Sequence, residues 1–385
     1  MPASEAKIAC AMLLFLASVS IVTPQLIKQT FAVSNVSPLP VSTGIGRALR
    51  WLAANQSSDG SYGAFFEHQT AAAAFALWLN NSASQNAARA YSVLSSELDN
   101  SSSWFWLASG YGEADVPGAI LYSVAASHHL SLINVNSVNA TLLEFQQSDG
   151  GFKGYADSQG KVYESSVDTA LALRALVQAN AINASDRHLA AQFLLSLQNS
   201  DGSFRLTQTI PSDPIYSQGP EPVSITALVL LALKDASSSY SVNEVHVSSA
   251  LNFLTDAVSE NFTASGDHKG HVYAASLSAL AFNAFGRVAQ AAAAVAFVSS
   301  NQNSDGGFGD IIQSHRHFSN PLDTAWAAIT LQEVQLGPLF GSFLSPIVFV
   351  GIIVAVGAVA VVGLVVVFLL VGRRASKQAA ASGTA

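Results

Sequence analysis

One short phrase, written four times, limits what this chain can fold into. It reads Gln56-Ser-Ser-Asp59-Gly60-Ser-Tyr62, then Gln146-Gln-Ser-Asp149-Gly150-Gly-Phe152. It returns as Gln198-Asn-Ser-Asp201-Gly202-Ser-Phe204 and Gln302-Asn-Ser-Asp305-Gly306-Gly-Phe308. Asp-Gly is turn chemistry: Gly accepts positive φ without steric cost, and Asp bonds its own backbone two residues on. Each copy closes one apolar helical stretch and precedes another. A unit of this length calls for a solenoid or a closed ring.

The helix before each phrase has its own register. Eight, five and four residues upstream of the Gln stand Ala48/Trp51/Leu52, Val138/Thr141/Leu142, Ala190/Phe193/Leu194 and Ala294/Phe297/Val298. That spacing puts all three on one helical face. Ala90/Val93/Leu94 and Ala250/Phe253/Leu254 fit the same register without the phrase. Six units result, indexed at residues 56, 98, 146, 198, 258 and 302. The second helix of each unit opens at Thr70-Ala71, Gly118-Ala119, Thr169-Ala170, Thr226-Ala227, Ala274-Ala275 or Thr324-Ala325. These runs are apolar all round, as from Ala71 to Leu79 and from Ala227 to Leu233, so they are buried on both sides. The preceding helices carry Arg47, Arg50, Arg89 and Arg187 and are half exposed. An open solenoid needs polar capping repeats, and none is visible. The expected fold is all-α: six helical hairpins closed into an α6/α6 toroid over residues 44–336.

The phrase, behind an Ala-x-x-aromatic-aliphatic helix, resembles the repeat of the terpenoid cyclase and protein prenyltransferase α/α-toroid superfamily. The resemblance covers nearly all of residues 43–336. It implies an apolar central cavity. Squalene-hopene-type cyclases protonate their substrate with an acidic run ending in Asp-Thr-Ala, matched here by Asp168-Thr169-Ala170, but Ser165 and Val167 replace its upstream carboxylates. Asp323-Thr324-Ala325 is likewise preceded by Asn320, Pro321 and Leu322. Protein prenyltransferases hold zinc through Asp, Cys and His. The single cysteine, Cys10, lies in the N-terminal run, so that zinc site and a thioester domain are both excluded.

The two ends read as targeting. Lys7 precedes an apolar run over Ile8–Val22, a signal peptide within residues 1–32 with cleavage near Ala32, or an uncleaved anchor. Residues 33–43 read as a linker and 337–346 as a stalk. Ile347–Val371 is a stretch of 25 residues without charge, followed by Arg373, Arg374 and Lys377. That reads as a transmembrane helix with a cytoplasmic tail over 372–385. The expected location is a cell membrane, single-pass, with the ring outside the cytoplasm. Residues 33–346 hold 12 Lys and Arg against 24 Asp and Glu, which argues against nucleic acid as a partner. Asn-x-Ser/Thr triplets at Asn35, Asn55, Asn80, Asn100, Asn139, Asn183 and Asn261 fit a glycosylated surface protein.

In such a ring the starts of the inner helices gather at one mouth. The residues before those starts are the candidate ligand-binding set: Glu67, His68 and Gln69; Glu113 and Asp115; Tyr163 and Glu164; Glu221; His268, His271 and Tyr273; His315 and His317. Asp168 and Asp323 are the candidate catalytic acids. A helix-cap reading stands beside the acid reading. Ser165 to Asp168 has capping-box spacing, and Asn320-Pro321-Leu-Asp323 is an Asn cap with Pro in the first turn. His315-x-His317 with Asp323 or His271 has donor chemistry for zinc, but the spacing is common and no metal or cofactor is assigned. Phe75, Trp78, Tyr122, Phe282 and Trp326 are expected on the inner wall, and Trp104 to Trp106 read as core or as a platform. The expected partners are a small apolar or lipid-like ligand and the membrane. Three functions follow: a ligand-binding toroid, a cyclase-like enzyme with a helix-start Asp as general acid, or a structural surface module.

Overall fold

The computed structural model describes residues 41–63, 66–98, 113–156, 161–208, 217–219, 221–237, 244–260, 262, 272–309 and 318–334. Twelve α-helices run through them in six pairs. The outer members are α1 (Val41–Ala54), α3 (Gln85–Ser96), α5 (Val135–Glu144), α7 (Ala184–Ser196), α9 (Glu244–Ser259) and α11 (Val288–Ser300). The inner members are α2 (Phe66–Asn80), α4 (Asp115–Ala126), α6 (Ser166–Gln178), α8 (Pro222–Ala236), α10 (Val272–Ala284) and α12 (Pro321–Glu333). Each inner helix packs on the next, and α12 packs back on α2, so the ring is closed. The linker expected over 33–43 is shorter than that, because Val41 already begins α1. The segments expected as signal, stalk, membrane span and tail, and Trp104–Trp106, lie outside the described residues. No helix among those described is long and apolar enough to cross a membrane.

The repeated phrase explains the ring bond by bond. The Asp accepts a backbone N–H two residues on: Ser61 to Asp59, Gly151 to Asp149, Ser203 to Asp201 and Gly307 to Asp305, all at 2.9–3.0 Å. The Gly takes φ of 92° to 107°. A Cβ on Gly150 would stand 2.2 Å from the Leu189 carbonyl, on the next outer helix, so both conformation and space demand glycine. The aromatic is buried, and its N–H donates to the Thr that opens the following inner helix. Tyr62 bonds Thr70, Phe152 Thr169, Phe204 Thr226 and Phe308 Thr324, at 2.9–3.0 Å. The Gln side chain donates to its own Gly carbonyl and to a carbonyl of the next outer helix. Gln56 reaches Asn86, Gln146 reaches Asp186 and Gln198 reaches His246.

The fourth Gln closes the circle. Gln302 donates to the Gly44 carbonyl at 2.8 Å, 258 residues away in sequence. Beside it, Arg47 donates to the Asn303 and Ser304 carbonyls, and the Trp51 indole donates to Asp305. Gln332 of α12 donates to the Ala76 carbonyl of α2.

The inner helices are enclosed as their composition requires. In α8 twelve of fifteen residues are buried, against four in the outer α7. Unit two lacks the phrase and carries Gly118 where four units have Thr; a Cβ there would meet the Leu171 carbonyl carbon at 2.8 Å. Close packing of α4 on α6 replaces the Thr clamp. The all-α expectation needs one correction. Strands β1 (Phe152–Ala156) and β2 (Val162–Ser165) pair antiparallel, Phe152 opposite Ser165. Phe152, Tyr155 and Tyr163 supply the aromatic side chains that favour strand pairing there.

Candidate functional site

Each phrase delivers the chain into an inner helix, and the six starts meet at one end. The Asp168 carboxylate in the first turn of α6 accepts the backbone N–H groups of Ala114 and Asp115 at the start of α4, both at 2.9 Å. His68 at the start of α2 is electrostatically coupled to Asp115, and Tyr273 at the start of α10 to Glu221, Asp323 and Asp115. Glu67, His68, Asp115, Asp168, Glu221, Tyr273 and Asp323 therefore share one mouth. Tyr163 and Glu164 stand on β2, whose end leads into α6. Glu164 stands opposite Lys153 in the hairpin, and the Lys161 ammonium lies 4.7 Å from the Tyr163 ring centre. His268, His271, His315 and His317 lie outside the described residues.

The two candidate acids are tied down. Ser165 is the N-cap of α6, accepting the Asp168 N–H at 3.0 Å while its hydroxyl donates to Asp168 Oδ2. With Oδ1 taken by two backbone donors, both oxygens of Asp168 are occupied. The β1 backbone roofs them: a Cβ on Gly154 would fall 1.8 Å from the carboxyl carbon. Burial pushes this carboxyl well above the usual range and the Asp115 charge adds to it, while the Ser165 and backbone donors work against it. Asn320 caps α12, accepting the Asp323 N–H and donating to Asp323 Oδ2, with Pro321 in the first turn. Both cap geometries read from the sequence are formed.

The remaining mouth groups are looser. Glu221 precedes Pro222 and accepts from the Ser224 hydroxyl at 3.2 Å. Glu67 is buried, and its Oε1 has no hydrogen-bond partner among the described residues. Glu113 is pushed upward by burial and by Asp115. Enclosure lowers the pKa of His68, with Asp115 and Glu67 pulling the other way. Burial, then the charges of Glu221 and Asp323, hold the Tyr273 phenol protonated. Among the described residues no group of three His, Cys, Asp or Glu could hold a metal ion.

Below the mouth the described side chains enclose a small space. A cavity of about 20 Å³ remains among His68, Phe75, Tyr122, Leu171, Arg174 and Trp326, on a measure where one water needs about 10–15 Å³. Phe75 stacks on Trp78 and meets Tyr122 edge-on, and Tyr273 meets Trp326 edge-on. Phe282, expected on this wall, is instead fully buried and does not line the cavity. The sequence reading missed Arg174, whose signal was a lone cation inside an apolar inner helix. Its Nε pairs with Asp235 at 2.8 Å, its Nη2 donates to the Tyr122 hydroxyl at 2.9 Å, and its plane lies 4.3 Å from the Tyr122 ring centre. Burial opposes its charge, but Tyr122, Asp235 and Glu333 more than offset that.

Two families match parts of the chain. The prenyltransferase α/α-toroid domain matches residues 41–162, and the A-macroglobulin TED domain matches residues 123–308. The second match contains no cysteine. A type II terpene cyclase from Scytonema, solved with geranylgeranyl dihydroxybenzoate, is 16% identical with a TM-score of 0.57, covering 76% of this chain and 97% of that one. A protein from Actinoplanes is 16% identical (TM-score 0.55; 77% and 99% covered). An alpha-amylase from Clostridium perfringens is 11% identical (TM-score 0.53; 78% and 99% covered). No curated protein matches the sequence. At such identities the structures share the ring, and a terpene cyclase and an alpha-amylase differ in activity on it.

Proposed function

We propose that this chain, whose ring resembles the terpenoid cyclase and protein prenyltransferase α/α-toroid superfamily, is a membrane-anchored, extracytoplasmic toroid that holds a small ligand at the mouth of its ring without cyclising it. The observation that carries this reading is the state of Asp168. A proton donor to a polyene must present its acid to the substrate. Here both carboxyl oxygens are bonded to protein donors, and the β1 backbone lies over them. The carboxylate is a clamp joining α4, α6 and the hairpin.

Three features support binding at the mouth. Titratable groups from five inner helices and the residue before a sixth, Glu221, converge there. The floor is aromatic, and Glu67 keeps a buried oxygen that no described residue pairs. Apolar surface with a few convergent polar groups is the usual form of a small-molecule site. Among the described residues a small enclosed cavity of about 20 Å³ lies below the mouth. The uncharged stretch 347–371 and the acidic balance of residues 33–346 support the anchored, extracytoplasmic location.

A cyclase reading retains one support: the upward-shifted Asp168 carboxyl is the state that a general acid needs. Native mass spectrometry of the exported protein, with incubation on a geranylgeranyl polyene, separates the two. The binding reading expects a small co-purifying adduct, lost in Tyr273→Ala, and an unchanged polyene. Cyclised product that disappears in Asp168→Asn would overturn it.

A further inference from the structure

Four of the seven Asn-x-Ser/Thr triplets have their acceptor among the described residues, and the fold treats them differently. Asn139 is 9% exposed, and its side-chain oxygen is buried without a partner. A sugar on its amide would have to pass through the contact between outer and inner helices. Asn183 spends both ends of its amide capping α7, accepting the Asp186 N–H and donating to Asp186 Oδ2. Asn80 is exposed at the end of α2, followed by exposed Asn81 and Ser82. Asn55 is exposed just beyond α1, followed by Gln56 and Ser57.

Asn55 has a second feature. It lines an open groove of about 700 Å³ with Arg47, Arg50, Trp51, Ala54 and Asp305, where the fourth phrase meets the first helix. The Trp51 indole is fixed from one edge by Asp305. Asn55 Nδ2 donates to the Trp51 carbonyl at 2.8 Å, and an amide carrying one sugar keeps one N–H. The groove thus offers a held aromatic ring, two guanidiniums and a carboxylate beside a modifiable amide, which is donor, acceptor and stacking surface for a sugar ring.

We propose that Asn55 and Asn80 are N-glycosylation sites of the folded ring, and that the glycan on Asn55 lies in the seam groove against Trp51. The modification forms a bond from Nδ2 to the anomeric carbon of a lipid-diphosphate-linked oligosaccharide. The anomeric C–O bond breaks, the lipid diphosphate leaves with that electron pair, and the amide proton passes to a base of the transferase. The proposal rests on the export proposed above.

The test is full-length chain made in an exporting host with an Asn-x-Ser/Thr oligosaccharyltransferase. Folded protein is isolated, its location is checked with a membrane-impermeant label, and its peptides are weighed before and after amidase treatment. The expected result is glycan at Asn55 and Asn80 and none at Asn139. Ser57→Ala and Ser82→Ala should each remove one glycan while leaving the melting temperature of the deglycosylated protein unchanged. Trp51→Phe should make the Asn55 glycan faster to trim by exoglycosidases, with the Asn80 glycan unaffected. An exported, folded chain bare at Asn55 and Asn80, or glycosylated at Asn139, would overturn this inference alone. A chain that is not exported would overturn the location and this site together.

Discussion

Replacing Asp168 separates a clamp from an acid. Asp168→Ala removes the acceptor that holds the Ala114 and Asp115 N–H groups. Ala114 keeps a second acceptor, the Lys153 carbonyl at 3.2 Å, so Asp115 is the donor left stranded, at a cost of about 1–3 kcal/mol. The Ser165 hydroxyl loses its acceptor as well, worth about 0.5–1.5 kcal/mol. Against these stands relief from a buried carboxyl that burial already disfavours as an anion. The net expectation is a loss of about 2–3 kcal/mol. At about 2–4 °C per kcal/mol for a domain of 150–250 residues, melting should fall by about 4–12 °C. Asp168→Asn keeps Oδ1 as acceptor for both N–H groups and turns its Nδ2 toward Ser165, so it should stay within about 1 kcal/mol of the parent. The pH dependence has a defined sign. A carboxyl whose folded pKa is raised contributes its stability below the unfolded value, about pH 3.9, and loses it as pH rises through the folded value. The Asn variant cannot ionise, so its melting temperature relative to the parent should climb between pH 4 and pH 8. Scanning calorimetry of parent, Ala and Asn variants across that range reads all three quantities. If Asn destabilises as much as Ala, or neither matters, the clamp argument is wrong.

Three further outcomes follow from the same geometry. Thr324→Val strands the buried Phe308 N–H and should cost about 1–3 kcal/mol, with Thr70→Val, Thr169→Val and Thr226→Val matching it in urea titrations; a neutral result at all four would refute the repeat linkage. Gln302→Ala removes two hydrogen bonds, about 1–3 kcal/mol together, and should speed amide exchange across Val41–Ala54, which Gln146→Ala, whose bonds run to Gly150 and Asp186, should not do. His68 has a lowered folded pKa, so its contribution is present above about pH 6.5 and lost as pH falls below that. His68→Gln should therefore narrow the stability gap between pH 7.5 and pH 5.5, and an unchanged gap would count against the enclosure of this ring.

The repeat made most of the fold legible. The Asp and Gly of each phrase act on neighbours within a few residues, so turn chemistry alone places the turns, and helical periodicity places the pairs. The helix caps at Ser165 and Asn320 were equally readable, because a cap and its partner lie three residues apart. The tertiary structure decided everything that needed a partner from elsewhere. Gln302 meets Gly44 only because six hairpins each turn by the right amount, a sum that no single unit encodes. Arg174 drew no notice in the sequence, because its partners Asp235 and Tyr122 come from two other helices. Asp168 matched a catalytic pattern in one dimension, and three dimensions surrounded it with donors and a glycine roof. The difference is physical: local hydrogen bonds are set by backbone geometry, whereas burial and charge pairing are properties of the closed ring.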